Sequence, residues 1–496
     1  MRGTPDAACK YVFRPRIPSL VAGAAITAGA VAIGNAVARR RSRHRRQVLS
    51  ELRSPSECGA LHDAKVARIA MQLREHPPTR HVSLRKHAPP HQVPKRHDLR
   101  RSDDKVDISD LTTILDIDPV RRTCTAEAGV MFEDLVAATL RYGLVPIVVP
   151  ELKTITIGGA VSGCSIESMS FRYGGFHDTC IEYEVVTARG DILACTPENQ
   201  NGLVFQMMHG SFGTLGVLTK LVFKLVPAKP YVHVHYEKYA TLSEYRAAIW
   251  RHFKAQDIDF MDGIIHSPEE YVLCVGRFVD AAPFTSRYDW MKIYYRSTRE
   301  REDDYLATAD YLFRYDHGVT NVHPKSFLGR LFFGKLAGSG NTLRIADKLP
   351  WLVDDKRPAV IVDVFLPLSK VNDFIVWYER ELGHFPLWCV PYRRVRDYEW
   401  IDESFYKNLD DQLFLDIAIY GLKQPEGKNA HRLIERKLRE LGGIKTLISH
   451  NYYSRDEFWS VWNKRNYDTV KRITDPDNMF RDLYTKTCRT AMGKKD

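Results

Sequence analysis

Between Pro150 and Ser168 the sequence reads Pro-Glu151-Leu-Lys-Thr-Ile-Thr156-Ile157-Gly158-Gly159-Ala-Val-Ser-Gly163-Cys-Ser165-Ile166-Glu167-Ser168, with Tyr173-Gly174-Gly175 and Asp178 close behind. Residues this small suit one kind of chemistry. Paired glycines let backbone amides approach a polyanion such as a pyrophosphate, and short hydroxyl side chains add donors without bulk. The spacing is not the G-x-G-x-x-G dinucleotide fingerprint, and no Gly-Lys-Ser/Thr follows to make a Walker loop. Alone, the stretch also reads as a glycine-rich turn between packed strands. A second glycine segment, Gly213-Thr-Leu-Gly216-Val217-Leu-Thr219, runs straight into an apolar stretch that ends at Pro227.

Such loops need strands to hold them. Residues 111–117 and 123–128 read as strands parted by the turn residues Asp118-Pro119. Phe132, Leu135, Val136 and Leu140 fall at helical spacing, and Gly143 is a natural stop before a short buried strand at 144–149. Further strands are expected at 181–188 and 215–226, with Arg189-Gly190-Asp191 as a hairpin turn. Residues 47–105 are polar and proline-bearing. After Pro227 the pattern changes to strands at 360–365 and 413–419 mixed with amphipathic helices at 368–382 and 431–441. The expected class is α+β in two parts with a boundary near 228.

The chain of 496 residues carries a net charge of +11, but ten basic residues and one acid fall within residues 1–46, so most of that excess belongs to the head. The rest is close to neutral, which argues against a nucleic-acid-binding body. Within the head, residues 17–38 hold no charge and are long enough for a membrane-spanning helix, though rich in Ala. Six arginines in 39–46 would keep the body cytosolic. A mitochondrial presequence and a polybasic surface anchor are the competing readings. Nine scattered cysteines, none at CxxC spacing, suggest neither a zinc site nor a disulfide framework, and fit a reducing compartment.

The two glycine segments together, in this order and spacing, resemble the FAD-binding domain of the vanillyl-alcohol-oxidase/PCMH superfamily. Within it, Pro150-Glu151-Leu152, the run from Thr156 to Ser168, Tyr173-Gly174, Val82-Ser83-Leu84-Arg85 and Phe385-Pro386-Leu387-Trp388-Cys389 are similar to the delta-24 sterol reductase (Diminuto-type) family. So are Pro227-Ala228-Lys229, Tyr452 and Arg455-Asp456-Glu457-Phe458-Trp459. The resemblance covers roughly 80–496 and is weakest over 229–350.

The resemblance implies a PCMH-type two-subdomain FAD-binding domain over 47–228, an α+β substrate (cap) domain over 229–445, and a segment 446–496 returning to the flavin domain. An apolar helix in the head 1–46 would precede them. It implies that Ser83, Arg85, Thr156, Ile157, Gly158, Gly159, Gly163, Ser165, Ile166, Glu167, Ser168, Gly174, Asp178, Gly213, Gly216 and Val217 bind FAD. The stretch 83–95 has His87 and His91 but no glycine, so non-covalent FAD is expected, with Arg85 and Lys86 able to neutralise the diphosphate. NADPH would be the electron donor, hydride passing through flavin N5 to a delta-24 or delta-24(28) double bond of a sterol side chain. His450 and Tyr452 are candidates for the proton donor, against a reading in which they merely pack. His177 beside Asp178 reads as a turn cap rather than a general base. The implied setting is a membrane, the endoplasmic reticulum or alternatively the mitochondrion. Two other functions compete: a flavin oxidase of a hydroxy acid or sugar lactone, and a flavin-free sterol-binding protein.

Overall fold

The computed structural model describes residues 55–289, 292–316, 318, 358–406 and 411–495. Helix Pro55–Arg74 opens this region, where the sequence suggests only polar, proline-bearing chain. Its apolar stripe is narrow: Val66, Ile69, Ala70 and Leu73, one side of the helix, pack against Val82, Val106 and Leu111. Charged residues on the other faces mask that stripe in the sequence. Beneath it β1 (Val82–Arg85) and β2 (Asp104–Asp107) pair in parallel.

The next six strands are β3 (Ile114–Asp118), β4 (Thr123–Glu127), β5 (Leu144–Pro146), β6 (Cys180–Val186), β7 (Ile192–Cys195) and β8 (Val217–Pro227). They form an antiparallel sheet of order β3-β4-β8-β6-β7, with β5 alongside β8. The expected elements are present with shifted ends. The first strand starts at Ile114 rather than 111, because Thr113 N–H donates to the buried Glu127 carboxylate at 2.7 Å and leaves the ladder. Helix Phe132–Thr139 stops as expected, with Gly143 left-handed at φ +66°. The turn at Gly190 (φ +77°) joins β6 to β7 as a hairpin.

From Tyr231 the chain builds a second sheet from β9 (Tyr231–Tyr239), β10 (Phe260–Ser267), β11 (Glu270–Val279), β12 (Asp303–Ala307), β13 (Val360–Pro367), β14 (Leu387–Arg393), β15 (Leu413–Leu422) and β16 (Ile444–Lys445). Their order is β12-β9-β11-β10-β14-β15-β13-β16. Both faces are buried. Met261, Ile265, Leu273, Val362 and Leu415 meet the helices Leu242–Ala255, Val371–Glu381 and Ala430–Leu441. The alternate residues, among them Phe260, Ile264, Val272, Trp388 and Val390, join the core of the first sheet.

The last segment then lies on the first half of the molecule. Ala188 N–H donates to Thr474 O at 2.7 Å, Val82 N–H to Met479 O at 3.0 Å, and Tyr467 hydroxyl to Thr214 Oγ1 at 2.9 Å. The described cysteines are all free. The head 1–46 and its apolar segment 17–38 lie outside the described residues; among those described, no helix is long and apolar enough to cross a membrane.

Candidate cofactor and substrate site

The glycine segment folds into the short helix Ile157–Ser162, capped by Thr156, whose hydroxyl accepts from Gly159 N–H at 3.2 Å. Two spaces flank it. One is a cleft of about 500 Å³ bordered by Thr156, Gly158, Gly159 and Ser162 on one side and by Gly213 and Gly216 on the other. Leu84, Lys86 and His87 form its third wall. The other is a pocket of about 800 Å³, open mouth included, whose near wall is Gly163, Cys164, Ile166, Gly210 and Phe212. Each glycine loop therefore runs along both spaces, as an elongated dinucleotide requires.

Gly158 and Gly216 are fixed by space. A side chain on Gly158 would meet Ala128 Cβ at 2.8 Å and its carbonyl at 2.9 Å, and Gly216 (φ +114°) faces Val186 O at 2.8 Å. Gly159 differs: an added Cβ meets only the Thr156 hydroxyl, at 3.0 Å. Gly159→Val should therefore fold yet project into the cleft, so flavin retention is expected to fall well before thermal stability does. Absorbance of purified protein against a melting curve reads this directly; full flavin occupancy in the variant would refute the role.

The electrostatics of the cleft suit an anion. Lys486 donates to the carbonyls of Phe212 and Gly213 at 2.8 and 3.4 Å, and among the described residues no carboxylate pairs with it. Burial, then Arg100 and Lys86, lower its ammonium pKa to about 7. Lys86 reaches solvent through the cleft, yet the protein around it lowers its pKa too. Lys86 on the cleft wall and Lys486 just behind Gly213, neither paired with a carboxylate among the described residues, fit a diphosphate, and so fit FAD. The sequence points to Lys86 but gives no sign of Lys486, which arrives from the far end of the chain.

Five of the expected cofactor residues line the cleft (Thr156, Gly158, Gly159, Gly213, Gly216), and Gly163 and Ile166 line the pocket. The others sit behind these walls. Arg85 is corrected: it turns outward on β1 to Asp107, because strand alternation gives the inward positions to Leu84 and then Lys86. Ser83 accepts from Lys105 Nζ at 2.6 Å. Ile157 and Val217 are core. The Ser165 carbonyl accepts from Phe176 N–H at 2.9 Å. Gly174, at φ +81°, leaves room for Asp178, which accepts from Gly175 N–H at 2.8 Å, Tyr398 hydroxyl at 2.9 Å and Arg396 at 3.1 Å. Asp178 is thus the turn cap that the sequence suggests and also ties the loop after β14 to the flavin side.

Glu167 is buried away from both spaces. It accepts from Ser168 N–H and hydroxyl, and from Arg314 at 3.0 Å. Arg314 also reaches Asp262 on β10 at 2.9 Å, so this guanidinium joins the glycine segment to the second sheet. Trp388 belongs to the same core, its indole donating to Asp262 at 3.1 Å.

The far wall of the pocket is apolar and aromatic: Phe365 and Phe414 from the second sheet, Trp400 and Phe405 from the loop after β14, and Trp462. Tyr392 and Tyr398 hydrogen-bond to one another at its side. His177 faces it with both ring nitrogens lacking a hydrogen bond, and burial lowers its pKa so that the ring is neutral.

The two candidate proton donors do not reach this pocket. His450 is buried beside His431 (ring centroids 5.4 Å apart), where burial and then Lys95 and Lys445 lower its pKa to about 3. A ring so reluctant to take a proton is not an acid at neutral pH. Tyr452 stacks near the same His431, its N–H donating to Glu435 at 2.9 Å. Of residues 446–496, Thr446, Leu447 and Trp462 border the pocket.

Residues 96–196 match the family described as FAD binding domain. Aligned along most of its length, the chain is 25% identical over 410 residues to the human Delta(24)-sterol reductase, covering 77% of each chain. Along most of its length the chain is thus similar to a delta(24)-sterol reductase. A Delta(24)-sterol reductase homolog of Caenorhabditis elegans is 25% identical over 431 residues (78% of this chain, 79% of the relative). The Arabidopsis thaliana reductase is 24% identical over 447 residues (79% and 78%). Animal and plant reductases thus align across both sheets.

Proposed function

We propose that this protein is an FAD-dependent oxidoreductase that reduces a double bond in a sterol side chain, delta-24 or delta-24(28), with electrons from NADPH. One observation carries the reading: an apolar, aromatic pocket shares its near wall with the cationic glycine cleft. The relatives' printed activity and the matched FAD binding domain support it. Bound FAD would supply hydride chemistry, which no side chain offers.

The chain's own part is binding, orientation and water exclusion. Lys86 and Lys486 would hold the diphosphate, and the loop segments 163–166 and 210–212, which border the pocket, would bind the rest of the cofactor. Phe365, Phe414, Trp400 and Phe405 give a rigid hydrocarbon its apolar surface, and exclude water from the reacting carbons. Arg393, Arg394 and Arg396 leave the second sheet at the pocket mouth; Arg394 lines it and Arg396 is held by Asp178. We place the enzyme at the endoplasmic reticulum with its body in the cytosol, a reading supported by the apolar and arginine-rich head.

Purified protein should be yellow, and a panel of unsaturated sterols supplied with NADPH should yield a saturated side chain by mass spectrometry. Peroxide release without any sterol would favour the oxidase reading instead, and colourless protein that takes up no FAD would favour the flavin-free one.

A further inference from the structure

His177 lines the pocket with a ring whose nitrogens no described residue hydrogen-bonds. It stands in the short turn Phe176–Thr179, and Gly175 leaves the space for its ring: a Cβ there would lie 2.6 Å from Nδ1. Phe176 N–H donates to Ser165 O at 2.9 Å, which pins this turn to the 163–166 loop on the pocket's near wall. Tyr398 and His209 flank the imidazole, their ring centroids 5.6 and 5.0 Å away. His209 is itself engaged, its Nε2 lying 3.0 Å from the Tyr183 hydroxyl. Packing thus fixes the His177 ring on three sides without satisfying it.

The residue is 1% exposed, so water does not serve its nitrogens from outside. Asp178 Oδ2 lies 3.3 Å from Nε2 without a hydrogen bond to it; that carboxylate accepts from Gly175 N–H, Tyr398 and Arg396 instead. Other polar groups on the pocket wall are satisfied within the protein. Tyr392 and Tyr398 bond to one another, and Lys445 donates to Glu435 and to His450 O at 2.5 and 2.7 Å. A bare buried polar group costs about 1–3 kcal/mol, which is why folded proteins seldom keep one unless a ligand completes it. Burial keeps the ring neutral, so it offers one N–H and one lone pair. On the reading above, the reacting part of the substrate is hydrocarbon and has neither donor nor acceptor to give. The redox ring of FAD has both, as carbonyl and imide groups along a flat edge.

We propose that His177 hydrogen-bonds to the redox ring of FAD and raises its reduction potential. This rests on FAD binding as read above, and not on which sterol is reduced. The turn that carries His177 is tied to the 163–166 loop through Ser165, and to the loop after β14 through Asp178. The imidazole therefore stands where the loops assigned to the cofactor meet the substrate pocket. A ring that has gained electrons is a stronger acceptor, so an N–H donor stabilises the reduced form more than the oxidised one. Phe212, Trp400 and Ile401 line the same pocket and exclude water, which strengthens that preference. His177 thereby eases electron entry from the donor.

The test is the potential of the FAD-loaded protein, measured against a reference dye in wild type and in His177→Leu. The apolar variant should make two-electron reduction roughly 10- to 100-fold less favourable, the worth of one hydrogen bond to a charged group. For a two-electron couple that is about 30–60 mV in the negative direction. The visible bands of the oxidised flavin should shift as well. His177→Gln, which keeps a donor and an acceptor, should recover most of the wild-type potential. In wild type isotope-labelled in its histidine rings, FAD reduction should move one ring-nitrogen resonance that His177→Gln lacks; this reading holds even where the leucine variant loses its flavin. A wild-type potential and spectrum in His177→Leu, or no histidine resonance that responds to reduction, would overturn the proposal. So would a leucine variant that binds sterol more weakly with its potential unchanged, since the ring would then serve the substrate's hydroxyl. Wild-type protein that takes up no FAD would sink the functional reading and this inference together. Yellow protein that reduces no sterol would sink the substrate alone, and the potentials would still decide His177.

Discussion

Arg314→Met is expected to destabilise the protein by about 3–5 kcal/mol, the usual cost of stripping one partner from a buried ion pair. Arg314 is 3% exposed and holds Glu167 and Asp262 at 3.0 and 2.9 Å, while Tyr311 and Tyr315 stack over its guanidinium. Methionine fills most of the volume, so the loss is electrostatic: two carboxylates remain, facing each other in a dry core. Urea denaturation should show a lower midpoint. The damage should also be directional, because Arg314 joins the glycine segment to the second sheet. FAD retention should weaken at denaturant concentrations where the fold still holds. A variant with wild-type stability would mean that Glu167 and Asp262 are already protonated and need no cation.

The second large effect concerns the cleft. Lys486→Met should lower FAD affinity by roughly 10- to 100-fold, as expected for losing one charge-assisted contact of about 1.5–3 kcal/mol. Combining it with Lys86→Gln should deepen the loss until the protein purifies colourless. The cofactor-free fold should nevertheless survive both changes, because neither lysine holds a carboxylate among the described residues. Binding titrations with FAD, followed by flavin fluorescence, separate these outcomes. Affinity left intact by both changes would show that backbone amides alone carry the diphosphate.

How far the sequence foretells these features depends on how local each one is. The glycines at 158, 159, 213 and 216 act within their own loops, and chain order alone suffices to read them. The strands flanking them alternate clearly and fall where expected, with ends displaced by one to three residues by side-chain hydrogen bonds such as Thr113 to Glu127. Lys486 was illegible because its meaning comes from contact with Phe212 and Gly213, some 270 positions earlier in the chain. The ion pairs of Arg314 are hidden for the same reason. Of the neighbours Arg85 and Lys86 only the second borders the cleft, because an inward strand face and an outward one differ by a single step, and composition does not say which is which. His450 and Tyr452 lie in a segment that returns toward the first sheet, but those two residues turn into a separate buried cluster with His431, Glu435 and Lys445.

One consequence follows from the two loops that border both spaces. With a single thin partition serving cofactor and substrate, occupancy on one side sets the shape and stiffness of the other. Affinity for the hydrocarbon and affinity for the dinucleotide are then linked quantities, and linkage is reciprocal: whatever factor one ligand confers on the other is returned in full. An enzyme built this way has no need of a distant regulatory site to avoid wasting its hydrophobic ligand. Whichever ligand binds first, the second meets a wall already shaped by it.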